Sequence, residues 1–307
     1  MNTPPLVSIV MTTYNGTEFL KAQLDSIIAQ TYPNIELIIV DDHSTDNTFE
    51  ILKKYSNTYP NIRLFRNDSN IGYIRNFEKG IILASGKYIA LSDQDDVWDV
   101  DKIKTMMCGW EHESIVYCNS QLIDEEGNNL NLKMSDIKKM ATYHDHLPFL
   151  IGNCVSGHAL IMRKNFALSV MPFPEECPHD WWLAFNASCA DGVKFVNKTL
   201  VHYRQHSKSS IGMIKSKERK KTKPSNKQSI LWMKNRMRTF ADWAISKRVN
   251  DHEIVERLAV YYSSFSLIND YKRMMLFFQY RYRLTALKHR SKFRRWIFCF
   301  KMFFKLV

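Results

Sequence analysis

The chain lacks any long apolar stretch. Nowhere do about 18 uncharged apolar residues follow one another, so the sequence offers no membrane-spanning helix. Its opening residues, Met1 to Ser8, lack the basic-then-apolar order of a secretory leader, and secretion is not expected. Six cysteines (108, 118, 154, 177, 189 and 299) are scattered with no Cys-x-x-Cys pair. A zinc site therefore has little support, and reduced core thiols of a cytosolic protein are the simpler reading. His202 and His206 form the only histidine pair four apart, and no internal repeat is present.

What is present is an uneven charge. Residues 1–212 carry 19 Lys/Arg against 25 Asp/Glu, whereas residues 213–307 carry 24 against 6. A partner of the tail should be anionic: membrane lipid, a lipid-linked diphosphate or, third, nucleic acid. The tail pairs its charge with bulky apolar residues and contains no nucleic-acid motif, so nucleic acid is not expected as a partner.

The first hundred residues alternate apolar runs with amphipathic stretches. Strands are expected at Val7–Met11, Ile35–Val40, Ile62–Phe65 and Tyr88–Leu91. Helices are expected from about Thr17, from the Ser44-Thr45-Asp46 caps through Tyr55, and over Asn76–Ala84. This alternation predicts an α/β fold with a mostly parallel sheet covered on both faces. Later strands are expected at Ser114–Ile123, Gly152–Met162 and Val193–Tyr203, and helices at Ile230–Lys247 and Glu253–Phe278.

Chemistry concentrates where strands end. Leu91-Ser92-Asp93-Gln94-Asp95-Asp96-Val97-Trp98 places three carboxylates in four positions after a buried-strand run. Such acids form either a solvated, helix-capping turn or a site for a hard divalent cation carrying diphosphate oxygens. Asp41-Asp42 ends the second strand, where a carboxylate can accept from a base N–H or a ribose hydroxyl; a capping turn is the alternative. Gly152-Asn153-Cys154-Val155-Ser156-Gly157-His158-Ala159 is a small-residue segment that lets a backbone approach a ligand closely. Pro178-His179-Asp180-Trp181-Trp182 sets an acid between a histidine and two aromatics, so its pKa is governed by its surroundings.

Taken in order, Thr13-Tyr14-Asn15-Gly16, Asp41-Asp42-His43-Ser44-Thr45-Asp46, Asn70-Ile71-Gly72 and Asp93-Gln94-Asp95-Asp96 strongly resemble family 2 glycosyltransferases. These are inverting enzymes of the Rossmann-like GT-A fold that use nucleotide-sugar donors. The resemblance covers roughly residues 6–212. It implies that Thr13, Tyr14, Asn15 and Asn70 lie around the donor nucleotide, with Asp41 reading the base. Asp93-Gln94-Asp95 becomes the DxD element: one acid faces the ribose, and Asp95, with Asp93 and His206, holds Mn²⁺ or Mg²⁺. Arg204, in Tyr203-Arg204-Gln205-His206, is implied on the diphosphate. Asp96, Trp98, Gly157, His158, His179, Trp181 and Trp182 line the acceptor and sugar pocket, the tryptophans as a stacking wall. Direct displacement needs one base, and the family places an acid at the position of Asp180 for it.

The Ser92–Trp98, Gly157–Ala159, His179–Trp182 and Tyr203–His206 elements together look like bacterial rhamnosyltransferases of capsule or O-antigen synthesis. That likeness implies a dTDP-β-L-rhamnose donor and a growing, lipid-linked glycan acceptor; UDP-hexose and UDP-N-acetylhexosamine donors stay open. The expected organisation is a catalytic domain over 1–212, a Lys-rich linker over 213–228 and a basic helical region over 229–307. Residues 290–307 mix Arg and Lys with Trp296, Phe298, Phe300, Phe303 and Phe304. Such a segment lies either in an anionic membrane interface or as a helix packed on the catalytic domain or on a homodimer partner. The expected location is cytoplasmic, peripheral on the inner face of the bacterial membrane.

Overall fold

The computed structural model describes residues 3–108, 110–206, 226–264 and 266–304. Strands and helices alternate at first: β1 (Val7–Thr13), α1 (Leu20–Ile28), β2 (Ile35–Asp41), α2 (Thr48–Thr58), β3 (Ile62–Arg66), α3 (Tyr73–Leu83) and β4 (Tyr88–Ser92). The middle of the chain adds β5 (Val97–Trp98), α4 (Lys102–Met107), β6 (Ile115–Ile123), β7 (Asn129–Lys133), α5 (Met134–Ile137), β8 (Leu160–Arg163), α6 (Lys164–Ser169), α7 (His179–Cys189) and β9 (Val193–Arg204). The last part is helical: α8 (Asn226–Ser246), α9 (His252–Ser263), α10 (Leu267–Gln279), α11 (Arg281–Leu284) and α12 (Lys292–Phe304).

One sheet runs in the order β3-β2-β1-β4-β8-β6-β9-β5, with β7 paired to β6. The first four strands are mutually parallel; β8 runs antiparallel between β4 and β6, and β6 and β9 are parallel again. Every residue of β1 is buried, which is why it reads as a near-continuous apolar run. Val10 faces Phe77 and Ile81 of α3, whereas Ile9 and Met11 face Leu20, Leu24 and Ile27 of α1. Gly80 lets α3 lie close on this strand, since a Cβ there would stand 2.4 Å from Val10 Cγ1. β1 sits between β2 and β4, so the strand order reverses there, and the crevice beyond these carboxyl ends is where open α/β sheets bind ligands.

Two expected elements differ, and a third gains a defined start. The Gly152–Met162 strand is formed only from Leu160 onward, because the Asn153 side chain bonds both the N–H and the C=O of Val155 and withdraws that stretch from the ladder. The third helix, expected to contain Asn76–Ala84, begins at Tyr73, where Asp42 accepts from the Ile71 and Gly72 amides and fixes the turn that launches it. Glu253–Phe278 is two helices, since Ser264 is extended and the Ser266 hydroxyl caps α10 by accepting from Asn269 N–H. The Lys-rich stretch expected as a linker lies outside the described residues up to 225, and its last three positions already belong to α8.

The C-terminal helices share one hydrophobic cluster with α7 and the sheet. Phe240 of α8 is fully buried, stacked 4.3 Å from Phe185 and 6.0 Å from Trp182, centroid to centroid. Phe240→Ala is expected to cost about 3–5 kcal/mol in urea unfolding, as cavity-forming substitutions of core aromatics do. A polar clamp backs this contact: Arg283 reaches Asp145 at 2.8 Å and Asp251 at 2.7 Å. Burial pushes the Asp145 carboxyl up, but hydrogen bonds from Arg283 outweigh it and hold the carboxyl below its ordinary range. The clamp therefore stabilises fully above the unfolded carboxyl pKa and fades as pH falls through the lower folded value. Arg283→Met is expected to cost about 1 kcal/mol at pH 7, the clamp being partly solvated, and the difference in urea midpoint should shrink below about pH 4.

Candidate active site

At the carboxyl ends of β1 and β2 the chain ties two turns together. Thr13 Oγ1 donates to Asp41 at 3.0 Å, and Ser44 donates to the same carboxylate through both its amide and its hydroxyl. Arg66 adds an ion pair at 3.5 Å, and Asp41 is fully buried. Asp41, where the base is expected, has both oxygens engaged by its own chain and fixes the floor of the crevice. Asn15, in the left-handed region at φ 48°, accepts from Thr45 N–H at 2.8 Å, so its side chain shapes the turn. Tyr14 is left exposed at the rim. Asn70 accepts from the Gly72 amide in an exposed turn, away from the buried floor.

The DxD loop closes the other side. Gln94, which the sequence reading passed over, grips Tyr14 like a strand neighbour: its oxygen accepts from Tyr14 N–H (2.9 Å) and its nitrogen donates to Tyr14 C=O (3.0 Å). A Cβ on Gly16 would lie 2.2 Å from that amide. Gly16→Ala should push Gln94 off Tyr14 and lower stability by about 2 kcal/mol in urea unfolding, for two intramolecular hydrogen bonds of about 1 kcal/mol each.

Pairing of β5 with β9, Val97 opposite His202, carries the chain after β9 back to the acids. His206 Nε2 lies 2.8 Å from Asp95 Oδ2, with the imidazole on the Phe19 ring. Arg204 does not extend into the crevice. Its guanidinium bonds the carbonyls of Asp95, Asp124 and Glu125 and its amide donates to Asp96, so it braces the DxD loop rather than offering Nε and Nη1 to a diphosphate.

Behind Asp93 sits a buried charge cluster. His158 Nδ1 is 3.5 Å from Asp96 and 3.8 Å from Asp93, and its Nε2 meets Ser120 Oγ at 3.1 Å. Burial, reinforced by Asp95 and Asp93, pushes Asp96 up to about 7 against the pull of His158. Burial opposes a charged His158, but the facing Asp96 and Asp93 outweigh it and raise its pKa. Asp93 is opposed by burial too, yet the His158 hydrogen bond and charge hold it below the carboxylate range. Lys102 completes the cluster, donating to His158 C=O at 2.6 Å, with burial pulling it down to about 7. Nothing in the sequence marks Lys102, which reads as an ordinary lysine in a first helical turn. Trp98, expected in the sugar pocket, is a core residue, 2 % exposed beneath the Lys102 ammonium.

Across the crevice α7 begins at His179, directly after Pro178, and places Asp180 in its first turn. Among the described residues the Asp180 carboxylate has no hydrogen-bond or ion-pair partner. His179 packs on Phe77 and Tyr73, and among the described residues neither of its ring nitrogens has a hydrogen-bond partner. Burial holds its imidazole below the ordinary range, against the pull of Asp180 and Asp93. Gly157 is required here: a Cβ would stand 2.9 Å from His179 Nε2 and 3.8 Å from Asp180 Cβ. Tyr73, unremarked in the sequence, is raised to about 12 by burial and then by Asp180, Cys177 and Asp93, so the acids of both walls face one phenol. Trp181 donates to Phe149 C=O and lies under Arg236 at 4.1 Å. Trp182, expected in the stacking wall, is 2 % exposed and donates to Val170 C=O; it belongs to the core with Phe240.

Oxygen and imidazole donors converge twice, as Asp95 with His206 and as Asp93, Asp96 and His158 within 4.8 Å of one another. Asp96 Oδ2, fully buried, has no hydrogen-bond partner among the described residues. Carboxylate oxygens joined by an imidazole nitrogen are a ligand set that fits a divalent cation.

Comparison with known proteins gives a consistent picture. A family model described as "Glycosyl transferase family 2" matches residues 8–168. A protein of Haemophilus influenzae named as an uncharacterized glycosyltransferase is 26% identical over 100% of this chain and 97% of its own length. The Escherichia coli UDP-Glc:alpha-D-GlcNAc-diphosphoundecaprenol beta-1,3-glucosyltransferase WfgD is 30% identical over 221 residues, 70% of this chain and 83% of WfgD. In three dimensions the chain is similar to S. aureus TarS 1-349 in complex with UDP-GlcNAc, with a TM-score of 0.61 at 16% identity over 98% of this chain and 81% of that one.

Proposed function

The chain belongs to glycosyl transferase family 2, and from that premise we propose that it moves a hexosyl group from a UDP-sugar to a lipid-linked glycan, with inversion. The observation that carries the mechanism is Asp180: a carboxylate in the first turn of α7 with no hydrogen-bond or ion-pair partner among the described residues, close to Gly157, whose chain neighbour His158 meets Asp93. Asp180 takes the proton of the acceptor hydroxyl as that oxygen bonds the anomeric carbon and the bond to the diphosphate breaks. His179, whose two ring nitrogens have no hydrogen-bond partner among the described residues, orients acceptor hydroxyls beside it. Thr13, Tyr14 and Asn15 form the nucleotide side, closed by Gln94. Asp95 and His206, with Asp93, would hold a divalent cation, which when bound neutralises charge on the leaving diphosphate. Asp96, His158 and Lys102 fix the Asp93 side of that loop from below.

The relatives favour a UDP-hexose over the rhamnosyl donor implied by the short motifs. WfgD is named for UDP-Glc and a diphosphoundecaprenol-linked acceptor, and the TarS complex holds UDP-GlcNAc. A donor screen with Mn²⁺ or Mg²⁺, following nucleoside diphosphate release, tests this directly. UDP release from a UDP-hexose in an acceptor-dependent manner is expected; preferential turnover of dTDP-rhamnose would reverse the donor assignment, and no turnover with any donor would sink the reading.

A further inference from the structure

We propose that the outward face of α10 and α12 is a docking surface for an anionic lipid bilayer. This rests on the lipid-linked acceptor proposed above, but it stands on separate observations. The two helices pack antiparallel: Phe277 meets Phe298, Cys299 Sγ donates to Phe277 C=O, and Arg273 Nε donates to Met302 C=O at 3.0 Å. Those contacts bury one side of each helix. On the other side of α10, Leu267, Tyr271 and Met275 follow one another every four residues and are 75, 53 and 47 % exposed. On α12, Trp296, Phe300 and Phe304 repeat that spacing at 53, 44 and 66 %.

The two stripes are continuous. Phe278 touches Trp296 at 5.8 Å, Trp296 stacks on Phe300 at 5.9 Å, and Phe300 meets Phe304 at 5.6 Å. A continuous outward apolar ladder on two helices is a surface that needs a covering partner. Its charge identifies that partner. Residues 267–304 carry ten Lys/Arg and a single acid, Asp270, which is already paired with Arg273 at 2.7 Å. Lys292, Arg294 and Lys301 stand exposed around the aromatic ladder. Aromatics bounded by cations match the acyl boundary and anionic headgroups of a bilayer surface. At 13 residues each, the helices span about 20 Å, too little to cross a hydrocarbon core of about 30 Å, so they lie flat. Among the described residues no helix is long and apolar enough to cross a membrane.

The test is co-sedimentation of the full chain with phosphatidylcholine vesicles, with and without phosphatidylglycerol, at low and high salt. Pelleting with the anionic vesicles, weakened by salt, is expected. Phe300→Glu and the charge-reversal variant Lys292→Glu should each lower the bound fraction, Phe300→Glu by about tenfold or more, whereas Ile82→Glu, exposed on α3, should not. Near-ultraviolet circular dichroism confirms that the variants are folded. Wild type left in the supernatant, equal loss on Ile82→Glu, or a dimer by light scattering that Phe300→Glu splits without any vesicle binding would overturn the proposal. Acceptor-dependent UDP release with a soluble acceptor is measured in parallel and should not change in Phe300→Glu, so failure of the sugar-transfer reading leaves a different signature.

Discussion

Asp180→Asn is expected to lower kcat by about 10²–10⁴-fold, the usual contribution of a positioned general base. Asparagine keeps the shape of the side chain and removes only its capacity to take a proton. Because the carboxylate has no hydrogen-bond or ion-pair partner among the described residues, the substitution leaves no group unpaired. The urea midpoint should therefore move by less than about 0.5 kcal/mol equivalent. Donor affinity, read by titration calorimetry, should stay at its wild-type value, because the nucleotide side proposed above lies at the ends of β1 and β2, across the crevice. A variant retaining kcat within about threefold, well inside the range of a lost base, would assign the proton transfer elsewhere.

Asp95→Ala should be comparably severe for a different reason. Loss of charge stabilisation on a leaving diphosphate amounts to several kcal/mol, or about 10³-fold in rate. The same substitution removes the 2.8 Å partner of His206, so the end of β9 loses its link to the DxD loop. Two readouts separate this from Asp180→Asn. Wild type stripped of divalent ions by a chelator should fall to the level of Asp95→Ala, and added Mn²⁺ or Mg²⁺ should rescue the former but not the latter. Donor affinity should fall in Asp95→Ala, whereas in Asp180→Asn it should not. Full activity of chelated wild type would remove the cation from the mechanism.

Much of the sheet was legible because its parallel strands are buried on both faces. Val7–Met11 and Ile35–Val40 are nearly unbroken apolar runs, and the turns after them carry the polar residues of the crevice. The position of the three acids directly after a buried strand was legible from the apolar run before them. What escaped depends on long-range pairing. Only the Val97–His202 register brings His206 to Asp95, and only the path of β9 turns Arg204 into a brace. Side-chain direction escaped as well. Trp98 and Trp182 stand in site motifs yet point into the core, since a motif names neighbours along the chain and not the face each one occupies. The broken helix near Ser264 was hidden because apolar residues continue in helical period on both sides of the break.

The aromatic contact between α7 and α8 bears on how such an enzyme can be re-engineered. Trp182 and Phe185 stand in the same helix as Asp180, and their ring neighbours Phe240 and Trp243 come from α8. A graft that exchanges residues 226–304 for those of a relative, with a new acceptor in mind, would replace the α8 rings that pack against the helix carrying Asp180. The unit of exchange is therefore discontinuous in sequence: α7 must travel with the C-terminal helices, although β9 and residues 207–225 separate them along the chain.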